Sequence, residues 1–176
     1  MFTKSLFNSM SKRTFSSLTQ YANGGSKVFL SVSQGGNKMG DMVFELYDNH
    51  QPNTVENFKA LADGQLNGDI SSGMAGLGVH VGENEEGESA FGVRLPDEDM
   101  SVRHVRRGQL SMASDGTNAN GSKVLITFGE AEYLNGYNTC FGEIVSGHDV
   151  LDKLEEATNR HGQVGGDFSI SASGSH

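Results

Sequence analysis

The chain holds a single cysteine, no long apolar run, and no carboxylate before Asp41. One cysteine rules out an internal disulfide, and the place of Cys140 just before Phe141 in a strand-like run reads as packing rather than reactivity. Without about 18 consecutive apolar residues, no transmembrane helix is expected. Apolar content of 35% looks thin until the 24 glycines are added, which brings usage near that of globular proteins and argues against disorder across the whole chain. At 176 residues the length suits one domain with a sizeable core, and neither an internal repeat nor an interdomain linker is present.

The missing acid divides the chain. Residues 1–40 contain Lys4, Lys12, Arg13, Lys27 and Lys38, which leaves −14 for the remainder of a chain whose net charge is −9. A basic, Ser/Thr-rich, acid-free leader has the composition of a mitochondrial targeting sequence. On a helix, Phe2, Leu6, Phe7 and Met10 would share one face, with Lys4, Asn8 and Lys12 opposite. The tract Arg13-Thr14-Phe15-Ser16 resembles a matrix-protease site, cut after the aromatic. The alternative is a disordered basic tail. Residues 1–25 are therefore read as leader or extended arm, residues 26–176 as the domain, and the location as mitochondrial, in the matrix or on the matrix side of the inner membrane. The acidity of the body disfavours nucleic acid and anionic lipid as partners.

Local patterns give a β-rich domain with two helices. Val28-Phe29-Leu30-Ser31-Val32, the turn Gln34-Gly35-Gly36-Asn37, and Met42 to Tyr47 form a hairpin signal. Thr54 is a good N-cap type, and Val55, Phe58, Leu61 and Ala62 follow at helical spacing until Gly64. Short apolar runs containing Leu110, Met112, Val124, Leu125, Ile126, Phe128, Phe141, Ile144 and Val145 are separated by Asn-Gly or Gly-Ser turns. Asp149 can cap a second helix with Val150, Leu151, Leu154 and Ala157 inward, and Phe168 to Ala172 supplies a closing strand.

Gly108-Gln109-Leu110-Ser111-Met112-Ala113-Ser114-Asp115-Gly116-Thr117-Asn118-Ala119-Asn120-Gly121-Ser122-Lys123-Val124-Leu125-Ile126 resembles the G-x-L-S-M-A-N-x-G-x-N-x-N-G-S-Q-F-F-I segment of cyclophilins. Glu132-Tyr133-Leu134-Asn135-Gly136-Tyr137-Asn138-Thr139-Cys140-Phe141-Gly142 is similar to that family's E-W-L-D-G-x-H-V-V-F-G. Phe44 to Asp48 and Pro52 to Leu61 look like its second strand and first helix. The resemblance implies a mainly β fold, a closed eight-stranded antiparallel barrel capped by two α-helices. It also implies peptidyl-prolyl cis-trans isomerisation, in which an arginine donates to the prolyl nitrogen as C–N resonance breaks, beside an apolar pocket for the proline ring.

The residues for that chemistry are changed. The family's F-H-R-I-I-P-G-F-M-x-Q-G-G-D-F tract corresponds to Ile70 through Asn84, which is shorter and has no arginine, proline, phenylalanine or glutamine. Arg94, the nearest arginine downstream, aligns to a lysine-like surface position. Lys123 stands for a glutamine, Leu125 for a pocket phenylalanine, Tyr133 for tryptophan and Asn138 for histidine, while Ala113 and Leu134 are kept. With Ser114, these seven outline a vestigial peptide groove and no catalytic residue. Losing one donor aimed at a transition state costs ~2.7–4 kcal/mol, so loss of donor and pocket together leaves little catalysis.

Other signals are weaker. Gly73-x-x-Gly76-x-Gly78 lacks the lysine or serine of a phosphate loop, and Glu83, Glu85, Glu86 and Glu88 match no cation-ligand spacing. His80, His104, His148 and His161 form no metal motif, so no metal or cofactor is expected. Arg103, His104, Arg106 and Arg107 form a basic cluster in the acidic body, read as a solvated face or, less simply, an anionic-partner surface. Asn120-Gly121-Ser122 reads as a turn. The functional expectation is a non-catalytic accessory subunit or interaction module, partnered by other proteins of a mitochondrial membrane-associated assembly such as a respiratory-chain complex. The alternatives are a working mitochondrial isomerase with Arg94 or Arg103 swung into the groove, and a module that binds proline peptides without turning them over.

Overall fold

The computed structural model describes residues 20–64, 68–72, 78–81, 87–114, 116–159 and 163–176. The targeting leader, its Arg13 to Ser16 tract, most of the Gly73 to Gly78 run, Glu83, Glu85, Glu86 and His161 lie outside the described residues. In chain order the elements are β1 Lys27–Gln34, β2 Asn37–Leu46, α1 Pro52–Asp63, β3 Gly68–Ser72, β4 Gly78–Val81, β5 Gln109–Met112 and β6 Val124–Thr127. A one-turn 3-10 helix Glu132–Leu134, β7 Cys140–Ser146, α2 His148–Glu156 and β8 Phe168–Ser175 complete them.

The molecule is mainly antiparallel β with two helices, as expected. The ladder runs β1-β2-β7-β5-β6-β4-β3-β8, and β8 returns to β1. β1, β2, β5, β6, β7 and β8 carry the described interior; β3 and β4 are placed by backbone, with Ile70 as the one side chain described there. The hairpin turn is as read: Gln34 pairs with Asn37 across Gly35 and Gly36, whose φ values of 55° and 80° suit a two-residue turn that glycine alone adopts cheaply.

Alternation puts Val28, Leu30 and Val32 of β1 inside, against Met42, Phe44 and Leu46 of β2. The interior is closed by Leu110, Met112, Ile126 and Phe141, with the Phe58 ring of α1 edge-on to Phe141 at 5.1 Å. From α2, Val150, Leu151 and Leu154 are buried in the same cluster.

Both helix starts differ from the sequence reading. Proline is favoured at the first helical position, so α1 begins at Pro52 and Thr54 falls inside the first turn, buried, its Oγ1 without a partner. The capping comes from a distant loop: Glu98 Oε1 accepts from the Asn53 backbone and side-chain amides at 3.1 and 2.9 Å, and Oε2 accepts from the Thr54 N–H at 2.7 Å. Likewise α2 is preceded by Gly147 at φ 86°, and Asp149 lies within the first turn, where its charge favours the helix dipole without capping it.

The Asn120-Gly121-Ser122 segment differs from the turn expected there: the turn falls at Thr117 and Asn118, while Asn120 is extended and bridges Leu95 in antiparallel fashion, with a bend only at Ser122. Asn57 of α1 donates to the Gly121 carbonyl at 2.9 Å and accepts from the Ala90 N–H at 2.8 Å, so it ties helix and loops together. Asn120, fully buried, donates to Asp97 Oδ1 at 2.8 Å. Among the described residues no helix is long and apolar enough to cross a membrane. Because Glu98 satisfies three donors, Glu98→Ala should lower unfolding stability by about 1–2 kcal/mol, seen as a reduced urea midpoint with unchanged slope; an unchanged midpoint would contradict this capping role.

Candidate functional site

The seven groove residues come from the ends of β5 and β6, from the 3-10 turn and from the approach to β7. Ala113 donates its N–H to the Lys123 carbonyl at 3.0 Å, which continues the β5–β6 pairing past Met112. Leu125 is the register partner of Ser111 on one side and of His80 on the other. Leu125 and Leu134 are 2% and 4% exposed and pack with Ala131 in a cluster of their own, apart from the barrel interior. The position expected to be a pocket wall is thus buried against the 3-10 turn and its N-cap residue Ala131.

Tyr133, next to Leu134, is exposed over 41% of its surface, and its partial burial raises the phenol above its ordinary range. Asn138 is spent on the backbone: its side-chain amide donates to the Met112 carbonyl at 2.9 Å and its N–H to the Leu134 carbonyl at 3.0 Å. Ser114 and Asn138 line an open cleft of about 460 Å³ with Asp97, Met100, Asn118 and Tyr137. The structure therefore brings the seven into one contiguous region, with Leu125 and Leu134 sealed and Ser114 and Asn138 on the cleft.

No arginine occurs between Arg13 and Arg94, a span that includes all of β3 and β4. Arg94 Nη1 donates to the Ala119 carbonyl at 3.1 Å. Arg103 lies 3.7 Å from Glu132. Arg107 is held against α2, its Nη2 2.8 Å from both Asp152 and Glu155. Among the described residues no three His, Cys, Asp or Glu side chains converge as a metal site. Cys140 is fully buried, and burial pushes its thiol well above the ordinary value, which suits packing rather than nucleophilic chemistry.

The basic cluster at Arg103 to Arg107 needs correction, because His104 is not part of a solvated face. It is fully buried, with Nδ1 3.0 Å from Asn135 Oδ1 and Nε2 2.8 Å from Ser111 Oγ; the Asn135 oxygen also accepts the His104 N–H at 2.8 Å. A neutral ring with its proton on Nδ1 satisfies both contacts, donating to Asn135 and accepting from the serine hydroxyl. The signal for this burial was present: Val102 and His104 alternate with Arg103 and Val105 as buried and exposed positions, the period of an extended chain.

Burial lowers the His104 pKa, partly opposed by the hydrogen bond to Asn135. A depressed imidazole resists protonation in the fold while the unfolded ring takes a proton near ~6.5, so its contribution is fully present above that value and is lost as the pH falls below it. Asn135 Nδ2 is buried without a partner. Asn135→Asp removes that orphan donor and sets a carboxylate at Nδ1. The His104 ring resonances should then titrate at higher pH than in the wild type, and an unchanged or lower midpoint would contradict the assigned contact.

Residues 29–172 match the family described as Cyclophilin type peptidyl-prolyl cis-trans isomerase/CLD, a span covering most of the chain and running from β1 into β8. With the antiparallel strands, the two helices and the loop network around Asn57 and Asn120, this match establishes that the chain belongs to the cyclophilin-type peptidyl-prolyl cis-trans isomerase family.

Proposed function

We propose that this chain is a cyclophilin-like domain without isomerase chemistry, serving as an accessory subunit or protein-interaction module of a mitochondrial membrane-associated complex such as a respiratory-chain complex. The observation that carries this reading is the stretch without arginine from residue 14 to residue 93, which spans β3 and β4. A twisted prolyl amide exposes a nitrogen lone pair, and its stabilisation needs a fixed donor at that atom. Among the described residues the guanidinium groups of Arg94, Arg103 and Arg107 are engaged elsewhere, on Ala119, Glu132 and the α2 carboxylates.

Packing supports the same reading. A proline ring needs an open apolar pocket, and Leu125 is sealed by Ala131 and Leu134. Reopening it would break contacts worth about 1.5–3 kcal/mol per buried leucine. The mitochondrial part of the proposal rests on the acid-free basic leader, and the protein-partner part on a retained fold whose groove chemistry is gone.

A working isomerase is the second reading, and one contact favours it. Arg94 reaches Ala119, two residues before the Gly121–Lys123 segment at the groove, so a rotation of its side chain would bring a guanidinium toward that region. A proline-peptide isomerisation assay separates the two. The proposal predicts a rate indistinguishable from the uncatalysed one at micromolar protein. Acceleration abolished by Arg94→Ala would establish the enzyme instead.

A further inference from the structure

Residues 21–26 precede β1 and, apart from Ser26, fall in the span expected to be leader or extended arm, yet their contacts are those of a folded element. The Tyr21 ring lies 5.6 Å from Tyr47 and edge-on to His50 at 5.1 Å. Ala22 is 8% exposed, in a cluster with Tyr47, Val102 and Cys140. The Gly24 and Gly25 N–H groups donate to Glu45 Oε1 at 2.8 and 3.2 Å, and Glu45 is itself buried. Ser26 gives both its N–H and its hydroxyl to the Asp48 carboxylate, at 2.7 and 2.6 Å. Gly25 passes so close to β2 that an added Cβ would stand 1.9 Å from the Leu46 carbonyl oxygen.

We infer that Tyr21–Ser26 is a latch belonging to the folded domain, so that proteolytic removal of the basic leader is confined to positions before Tyr21. Removing the latch would withdraw two donors from a buried carboxylate and uncover the ring of Tyr47, which is 0% exposed. A cut after Phe15 leaves the latch whole and strips Lys4, Lys12 and Arg13, taking the net charge from −9 to −12. This cellular consequence rests on the leader reading proposed above; the latch itself does not.

Limited digestion of the full chain with proteinase K, with the resistant core mapped by mass spectrometry, tests the latch directly. A core that begins at or before Tyr21 supports it, and one that begins at Ala22 or later overturns it. In the full chain, Tyr21→Ala and Gly25→Ala should each lower the thermal midpoint by about 3–8 °C, and unchanged midpoints for both would also overturn it. The N-terminus of the native protein separates the two proposals. A start between Thr14 and Tyr21 supports both, and a start at Ala22 or beyond refutes the latch. A start at Met1 refutes the leader, and the latch then stands or falls on the digestion.

Discussion

The filled interior of an antiparallel barrel is the constraint on which the rest of this structure depends. Phe44, Phe58, Phe141, Leu110, Met112 and Ile126 are buried there together, each worth roughly 1.5–3 kcal/mol relative to exposure, before the entropy of ordering the chain is subtracted. The loops outside the barrel are fastened by buried polar groups with fixed partners. Asn57 bridges Gly121 and Ala90, Glu98 caps α1, and Asn120 holds Asp97. Two of these contacts, Asn57 on Gly121 and Asn120 on Asp97, lie next to the candidate groove and its cleft, so the same polar network that fastens the loops also shapes that face.

On the proposed reading, fold and chemistry diverge at the side chains of the groove, not at its backbone. Leu125 belongs to a small cluster with Ala131 and Leu134, distinct from the barrel core, so changes there are felt locally. Lys123 follows the segment that Asn57 fastens at Gly121, and its carbonyl accepts the Ala113 N–H, a bond made by backbone alone. The family-like tract from Asn118 to Ser122 is accounted for by folding, through the bonds of Asn118 and Asn120 to Asp97, so its presence does not argue for a working groove.

Much of the fold was legible in the sequence, because the hairpin turn and both helix faces are set by neighbours a few residues apart. Long-range contacts were not legible. β1 pairs with β8 across most of the chain, Val28 with Ser175, and periodicity carries no record of such a pairing. The same blindness hid the Glu98 cap on α1 and the Glu45 and Asp48 contacts to Tyr21–Ser26, since a carboxylate some twenty or more residues away leaves no local mark. At His104 the sequence carries two conflicting signals, the charge of three nearby arginines and the alternation from Val102 to Val105, and the alternation decides its burial. At the candidate site the seven residues could be named from sequence, whereas the packing of Leu125 and Leu134 with Ala131 and the use of Asn138 on Met112 required coordinates.

If the barrel is kept for its surface and not for its groove, the native protein should be found with partners. Gentle solubilisation of mitochondria followed by native electrophoresis is the most direct measurement. Migration in an assembly many times larger than the 18.8 kDa chain is the predicted result. Migration alone, at the size of the free chain, would contradict the account.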